Sequence, residues 1–281
     1  LCTVLKTSEL RILYPFFGLK STNITLSVLI WHSSCIEKSA CVPRLTDDRH
    51  TVIMVSSIFK CIGVRFMADF IRHAAYQRLS GADTLVLFAH GIQGSPNQFT
   101  ALAAALPENI DYLCLLLPGH GNSVREFRHS SAHQWRAYFD KTCREMHARY
   151  RRVVFVGHSM GCLLGILAET EHAAHFSEML LLACPLRIRI TRRYLLNNWR
   201  SAAGTASAET AMFRAANSVH ARHPIEYLSC IRPYLGLLRL IRTARRCLPN
   251  LDCPVTVVHS DDDEIVSSKT LALFPDSERI T

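Results

Sequence analysis

The 281 residues carry 32 Lys and Arg against 23 Asp and Glu, a formal charge of +9, and 49% of them are hydrophobic. That suffices for one large domain, or one domain with an insertion. The excess is dispersed arginine, without basic runs interleaved with aromatics and without a nucleic-acid motif, so no nucleic-acid partner is expected.

Cysteine usage points to the compartment. There are 11 cysteines, an odd number, and Cys114, Cys162 and Cys184 fall inside apolar runs without paired spacing. Reduced thiols in a cytoplasmic protein are expected rather than a disulfide framework. No C-x-x-C and no His/Cys cluster has metal spacing, so no metal is expected. The apolar stretch Ile24 to Trp31 falls far short of the ~20 residues a membrane span needs, so no stable membrane insertion is expected.

The chain begins at Leu1, and its first methionines are Met54 and Met67. Residues 1–66 show neither helical nor strand rhythm; they are left unassigned and expected to be non-native or loosely ordered. Regular patterning starts at Met67. His73 to Leu79 reads as a strand running into the turn Ser80-Gly81-Ala82-Asp83. Thr84 to Ala89 reads as a buried strand, closed by the glycine-rich loop His90-Gly91-Ile92-Gln93-Gly94-Ser95-Pro96. A small-residue helix is expected over Phe99 to Leu106, then a strand over Asp111 to Leu117, closed by Pro118-Gly119-His120-Gly121. Ala132 to Tyr150 is an amphipathic helix with Trp135, Tyr138, Phe139, Cys143 and Met146 on one face.

The organising stretch follows. Arg151 to Val156 is an apolar strand that runs straight into Gly157-His158-Ser159-Met160-Gly161, and small apolar residues continue at helical spacing to Ala168. A serine between glycines two before and two after, on a strand-to-helix turn, is presented at the tip with a helix N-terminus behind it. Further strands are expected at Met179 to Cys184 and Val255 to His259. Strands alternating with helices imply a parallel sheet covered on both faces. From Pro185 to Leu251 the rhythm turns helical, with many arginines among apolar anchors. This is read as an insertion, either with solvated arginine faces or as a lid that attracts anionic substrates.

Acyl transfer by serine needs a nucleophile, a base oriented by an acid, and donors for the oxyanion. Ser159 is the nucleophile candidate. The backbone N–H groups of Met160 and Ile92 are the donor candidates. His90 reads as a loop-shaping residue rather than a base.

His90-Gly91-Ile92-Gln93-Gly94-Ser95-Pro96, Leu117-Pro118-Gly119-His120-Gly121 and Gly157-His158-Ser159-Met160-Gly161, in that order, resemble the α/β-hydrolase superfamily. The nearest branch is that of carboxylesterases, monoacylglycerol lipases and lysophospholipase-like enzymes. The resemblance runs from about Asp83 to the end of the chain. It implies an α/β fold with a doubly wound, mostly parallel sheet over residues 67–281 and a helical cap at about 186–250. It also implies hydrolysis of a short or medium acyl ester, a monoacylglycerol-like small molecule, with no cofactor. The family's acid follows the strand at Val255, where Asp263 fits the pattern and Asp261 and Asp262 are near alternatives. The family's base is a histidine after one more strand. No histidine follows His259, and the chain stops at Thr281, about where that strand begins. The expectation is therefore a fold truncated before its last strand, with the base missing and this chain nearly inactive. A thioesterase or acyltransferase with the same constellation, or a non-catalytic hydrolase-like binding protein, are the alternatives. Nothing in the sequence sets the oligomeric state.

Overall fold

The computed structural model describes residues 73–192, 216–219, 221, 224–261, 263, 265–275 and 280, together with Cys2–Thr3 and Ile30–Trp31, which pair antiparallel. The remainder of 1–66, most of 193–223, and Asp262 lie outside the described residues.

One six-stranded sheet organises the described chain. Its strands are β1 (Tyr76–Arg78), β2 (Thr84–Ala89), β3 (Asp111–Leu115), β4 (Arg152–His158), β5 (Glu178–Leu182) and β6 (Val255–Val258). Their spatial order is β1-β3-β2-β4-β5-β6, with β1 antiparallel to β3 and every other pairing parallel. A parallel bridge also joins Val255 to Ile280.

The apolar runs take both faces of this sheet in alternation, because successive side chains of a strand point oppositely. Leu85, Leu87, Val153, Phe155, Met179 and Leu181 face a core built from helices α3 (Ala132–His147), α4 (Met160–Thr170) and α5 (Ile231–Cys247). Val86, Phe88, Val154, Val156, Leu180 and Leu182 face the other way. They meet Phe99, Leu102, Ala103 and Leu106 from the region of helix α1 (Thr100–Ala104). Burial on both faces explains why these strands read as continuous apolar runs rather than alternating ones.

The elements differ from the sequence expectation at their ends. The strand at His73 to Leu79 is only the three residues of β1, and it is the antiparallel edge. Edge strands need little apolar pattern, so direction is not written there. The helix expected from Phe99 opens earlier, as a tight 3₁₀ turn over Pro96–Phe99. Pro96 is preset for a first helical turn, and Ser95 Oγ accepts the Asn97 N–H at 3.2 Å. Between β3 and α3 a single turn, α2 (Val124–Phe127), seals the core with two buried side chains.

The range 186–250, expected as the cap, is divided. Its second half is α5, whose Leu240, Ile241 and Ala244 belong to the main core, so α5 lies in the helix layer against α3 and α4. A stripe of apolar residues at helical spacing buries equally well in a cap or a layer, which is why the sequence did not separate them. Among the described residues no helix is long and apolar enough to cross a membrane, and seven cysteines are free thiols.

Candidate active site

Five loops leave the carboxyl edge of the parallel strands, where open α/β sheets place their sites. The first is the turn after β4. Ser159 lies there at φ 49 and ψ −118, a left-handed conformation costly for any residue with a Cβ. The chain holds it by force of packing. Ser159 N–H donates to Leu182 O at 2.9 Å, and Cys162 N–H donates to Ser159 O at 3.0 Å. The flanking glycines are required by close approach. A Cβ on Gly161 would sit 2.0 Å from Ala89 O, and one on Gly157 would sit 2.8 Å from the Cys162 nitrogen. The result is a serine standing between strand and helix, half-buried, at the N-terminus of the eleven-residue α4.

The loop after β2 presses on this turn. A Cβ on Gly91 would lie 3.0 Å from Ser159 Cβ and 3.1 Å from His158 Nδ1. Two buried histidines shape the loop. His90 accepts the Leu117 N–H on Nε2 at 3.0 Å, so its proton is on Nδ1, which reaches Gly91 O at 2.8 Å. His120 accepts the Gln93 N–H on Nε2 at 3.0 Å, and its Nδ1 faces Pro118 O at 3.3 Å. Burial drives both toward the neutral form: His90 is held well below the ordinary imidazole value, and His120 is lowered to about 4. The two rings meet edge-on, with centroids 4.8 Å apart. Gln93 is held at φ 59 with its N–H committed to His120, and Ile92 stands between it and Gly91, the residue packed against Ser159.

Asp263 lies in the loop after β6 and is 2% exposed. Its Oδ1 accepts the N–H groups of Ile265 at 2.8 Å and Val266 at 2.7 Å, which fixes the carboxylate. Asp261 is exposed, and Asp262 lies outside the described residues. Because β4, β5 and β6 are neighbours and parallel, Ser159 and Asp263 emerge at the same sheet edge. Two strand spacings of ~4.8 Å put their strands about 10 Å apart. The structure thus sets Ser159, followed by Met160, against Gly91 of the loop that carries Ile92, and places Asp263 along the same rim. His259, directly after β6, lies on that rim too.

Two contributors had no sequence signal. Ser218, fully buried, donates its hydroxyl to Gly94 O at 2.5 Å, accepts the Gly121 N–H at 3.0 Å, and gives its own N–H to Gln93 O at 2.8 Å. Tyr234 on α5 accepts from Gln93 Nε2 at 2.6 Å. Both tie the loop after β2 to segments more than a hundred residues away, which no local pattern records. Among the described residues no cluster of three His, Cys, Asp or Glu side chains is arranged to hold a metal ion.

Solved structures share this architecture. The metagenome-derived lipolytic enzymes LipS and LipT are represented by a chain with 21% identity and a TM-score of 0.56, covering 74% of this chain and 84% of that one. A Paleococcus ferrophilus monoacylglycerol lipase gives 13% identity and a TM-score of 0.51, covering 74% and 87%. An E-2-(acetamidomethylene)succinate hydrolase gives 17% identity and 0.51, covering 74% and 84%. At such identities the likeness concerns the fold. A search of the curated proteins gave no match. The model of the alpha/beta hydrolase family matches residues 86–279, from β2 through the elbow to beyond Asp263, and this chain belongs to that family.

Proposed function

We propose that this site cleaves carboxylic esters of short or medium acyl chains, monoacylglycerol-like small molecules, through an acyl-enzyme on Ser159. The observation that carries the reading is the forced backbone of Ser159 at the head of α4, with Gly91 against it. In the first step Ser159 Oγ bonds to the carbonyl carbon and its proton passes to a base. The Ile92 and Met160 N–H groups receive the oxyanion, and the alcohol leaves with the proton. Water then releases the acid by the same route. Asp263 is the group that orients the base. No cofactor takes part, and the buried thiols support a reducing, cytoplasmic setting.

The base is the incomplete part. His90 and His120 engage both ring nitrogens within the loops, so neither is available to Ser159. Residues 264–281 contain no histidine. In this reading Ser159, the two amides and Asp263 supply nucleophile, oxyanion donors and acid, and neither of these two imidazoles serves as the base; working without a base costs about 10⁶ in kcat for serine hydrolases of this logic. The test is p-nitrophenyl butyrate hydrolysis by the chain with and without free imidazole, each corrected by Ser159→Ala. Slow turnover that imidazole raises, and that Ser159→Ala abolishes, is expected. Fast turnover without imidazole overturns the missing base, and equal rates for parent and Ser159→Ala overturn the nucleophile.

A further inference from the structure

The exposed side of α5 is not used by the site. Ile225, Leu228 and Ile231 follow one another at three-residue spacing along the 3₁₀ segment Pro224–Cys230 and into α5, and Leu235 and Leu238 continue the line at helical spacing. These five side chains are 63%, 72%, 67%, 50% and 38% exposed. An aliphatic row of that kind on an outer surface marks an interaction site.

The charges beside it are mostly cationic, with Glu226 in the 3₁₀ segment as the acidic exception. Ile231–Cys247 contains Arg232, Arg239, Arg242, Arg245 and Arg246 and no acidic residue. All five are exposed, and Arg245 also donates to Leu186 O. None of these arginines takes part in the ion pairs of Arg136, Lys141, Arg151 and Arg152. The apolar row occupies the N-terminal part of the exposed side, and Arg242 and Arg246 continue it toward the C-terminus.

We infer that this surface docks the protein on an anionic lipid surface. Aliphatic side chains enter the acyl boundary while arginines, whose stems are apolar and whose heads are cationic, meet lipid phosphates and carboxylates. The alternatives fit less well. A second copy would set one arginine-rich helix against another. A nucleic acid would use the arginines and leave the aliphatic row, which offers no ring for stacking, without a role. The position is also apt: Tyr234, adjacent to Leu235, contacts Gln93 of the loop beside Ser159. Docking does not depend on the ester chemistry, since no residue of the row belongs to the site.

The test is co-sedimentation of the full chain with phosphatidylcholine vesicles and with vesicles containing phosphatidylserine, at low and high salt. The expected result is preference for the anionic vesicles, weakened by salt. Leu228→Glu with Ile231→Glu should lower partitioning at least about tenfold. Arg239→Glu with Arg242→Glu should lower it at least about twentyfold. All four positions are exposed, so urea midpoints should be unchanged, and Ser159→Ala should bind like the parent. Equal partitioning to neutral and anionic vesicles, or none to either, overturns the inference. So does concentration-dependent dimerisation that the Leu228→Glu/Ile231→Glu variant abolishes, or retention on a nucleic acid that the same variant leaves intact while vesicle binding is absent.

Discussion

Ser159 stands where no residue with a side chain rests comfortably, and the surrounding contacts make that position unavoidable. Gly157 and Gly161 admit the strand and helix, and the Leu182 carbonyl anchors the Ser159 amide. A residue at φ 49 and ψ −118 costs on the order of 1–3 kcal/mol. Ser159→Gly should therefore raise the unfolding free energy by about 1 kcal/mol in urea titrations, net of the glycine's greater unfolded-state freedom. Ser159→Ala, which keeps the Cβ, should leave it nearly unchanged. Loss of stability in Ser159→Gly would show that the angle is not strained. This much was legible in the sequence, because a serine between two glycines, after an apolar run and before a small-residue helix, encodes the steric demand locally. Ser218 and Tyr234 were not legible. Their partners lie 124 and 141 residues away, and nothing in their own neighbourhoods differs from an ordinary surface helix or loop.

At the level of elements, the loops after β2 and β3 are held together by two neutral imidazoles. His120 is lowered to about 4 by burial. Unfolded, it titrates near 6.5, so between those values the unfolded chain binds a proton that the folded one does not. Stability is then full above about pH 6.5 and falls as pH drops toward 4, by about 3 kcal/mol for His120 alone. His90, lowered in the same sense, adds to the slope. Urea midpoints followed from pH 7 to 4.5 should fall steeply in the parent and less steeply in His120→Gln. An identical slope in the two would remove His120 from the explanation. The elements themselves were mostly readable. Runs such as Leu85 to Ala89 and Val153 to Val156 are apolar on both faces because both faces are covered. What the pattern left open was which partner an amphipathic helix meets. Leu240, Ile241 and Ala244 turn out to face α3 and α4, although α5 lies in the range read as a cap.

Across the molecule the parallel order β3-β2-β4-β5-β6 turns scattered motifs into one rim. Ile92, Ser159, Met160, Asp263 and His259 all follow carboxyl ends of strands, so topology alone gathers residues far apart in sequence. Strand order is carried by contacts between segments rather than within them, which is why the sequence yielded the list of elements and the family resemblance yielded their arrangement. The direction of β1 escaped both, since three residues at an edge, two half-buried and one exposed, carry no pattern that depends on direction.

The central claim is that the hydroxyl at position 159 attacks electrophilic carbonyls or their mimics once an imidazole is supplied. The most direct measurement is labelling of the 281-residue chain with a fluorophosphonate, with and without free imidazole, and mapping of the adduct by peptide mass spectrometry. A single adduct on Ser159, formed faster with imidazole and absent from Ser159→Ala, is the result expected. An adduct on another residue, or an unmodified Ser159 under both conditions, would contradict it.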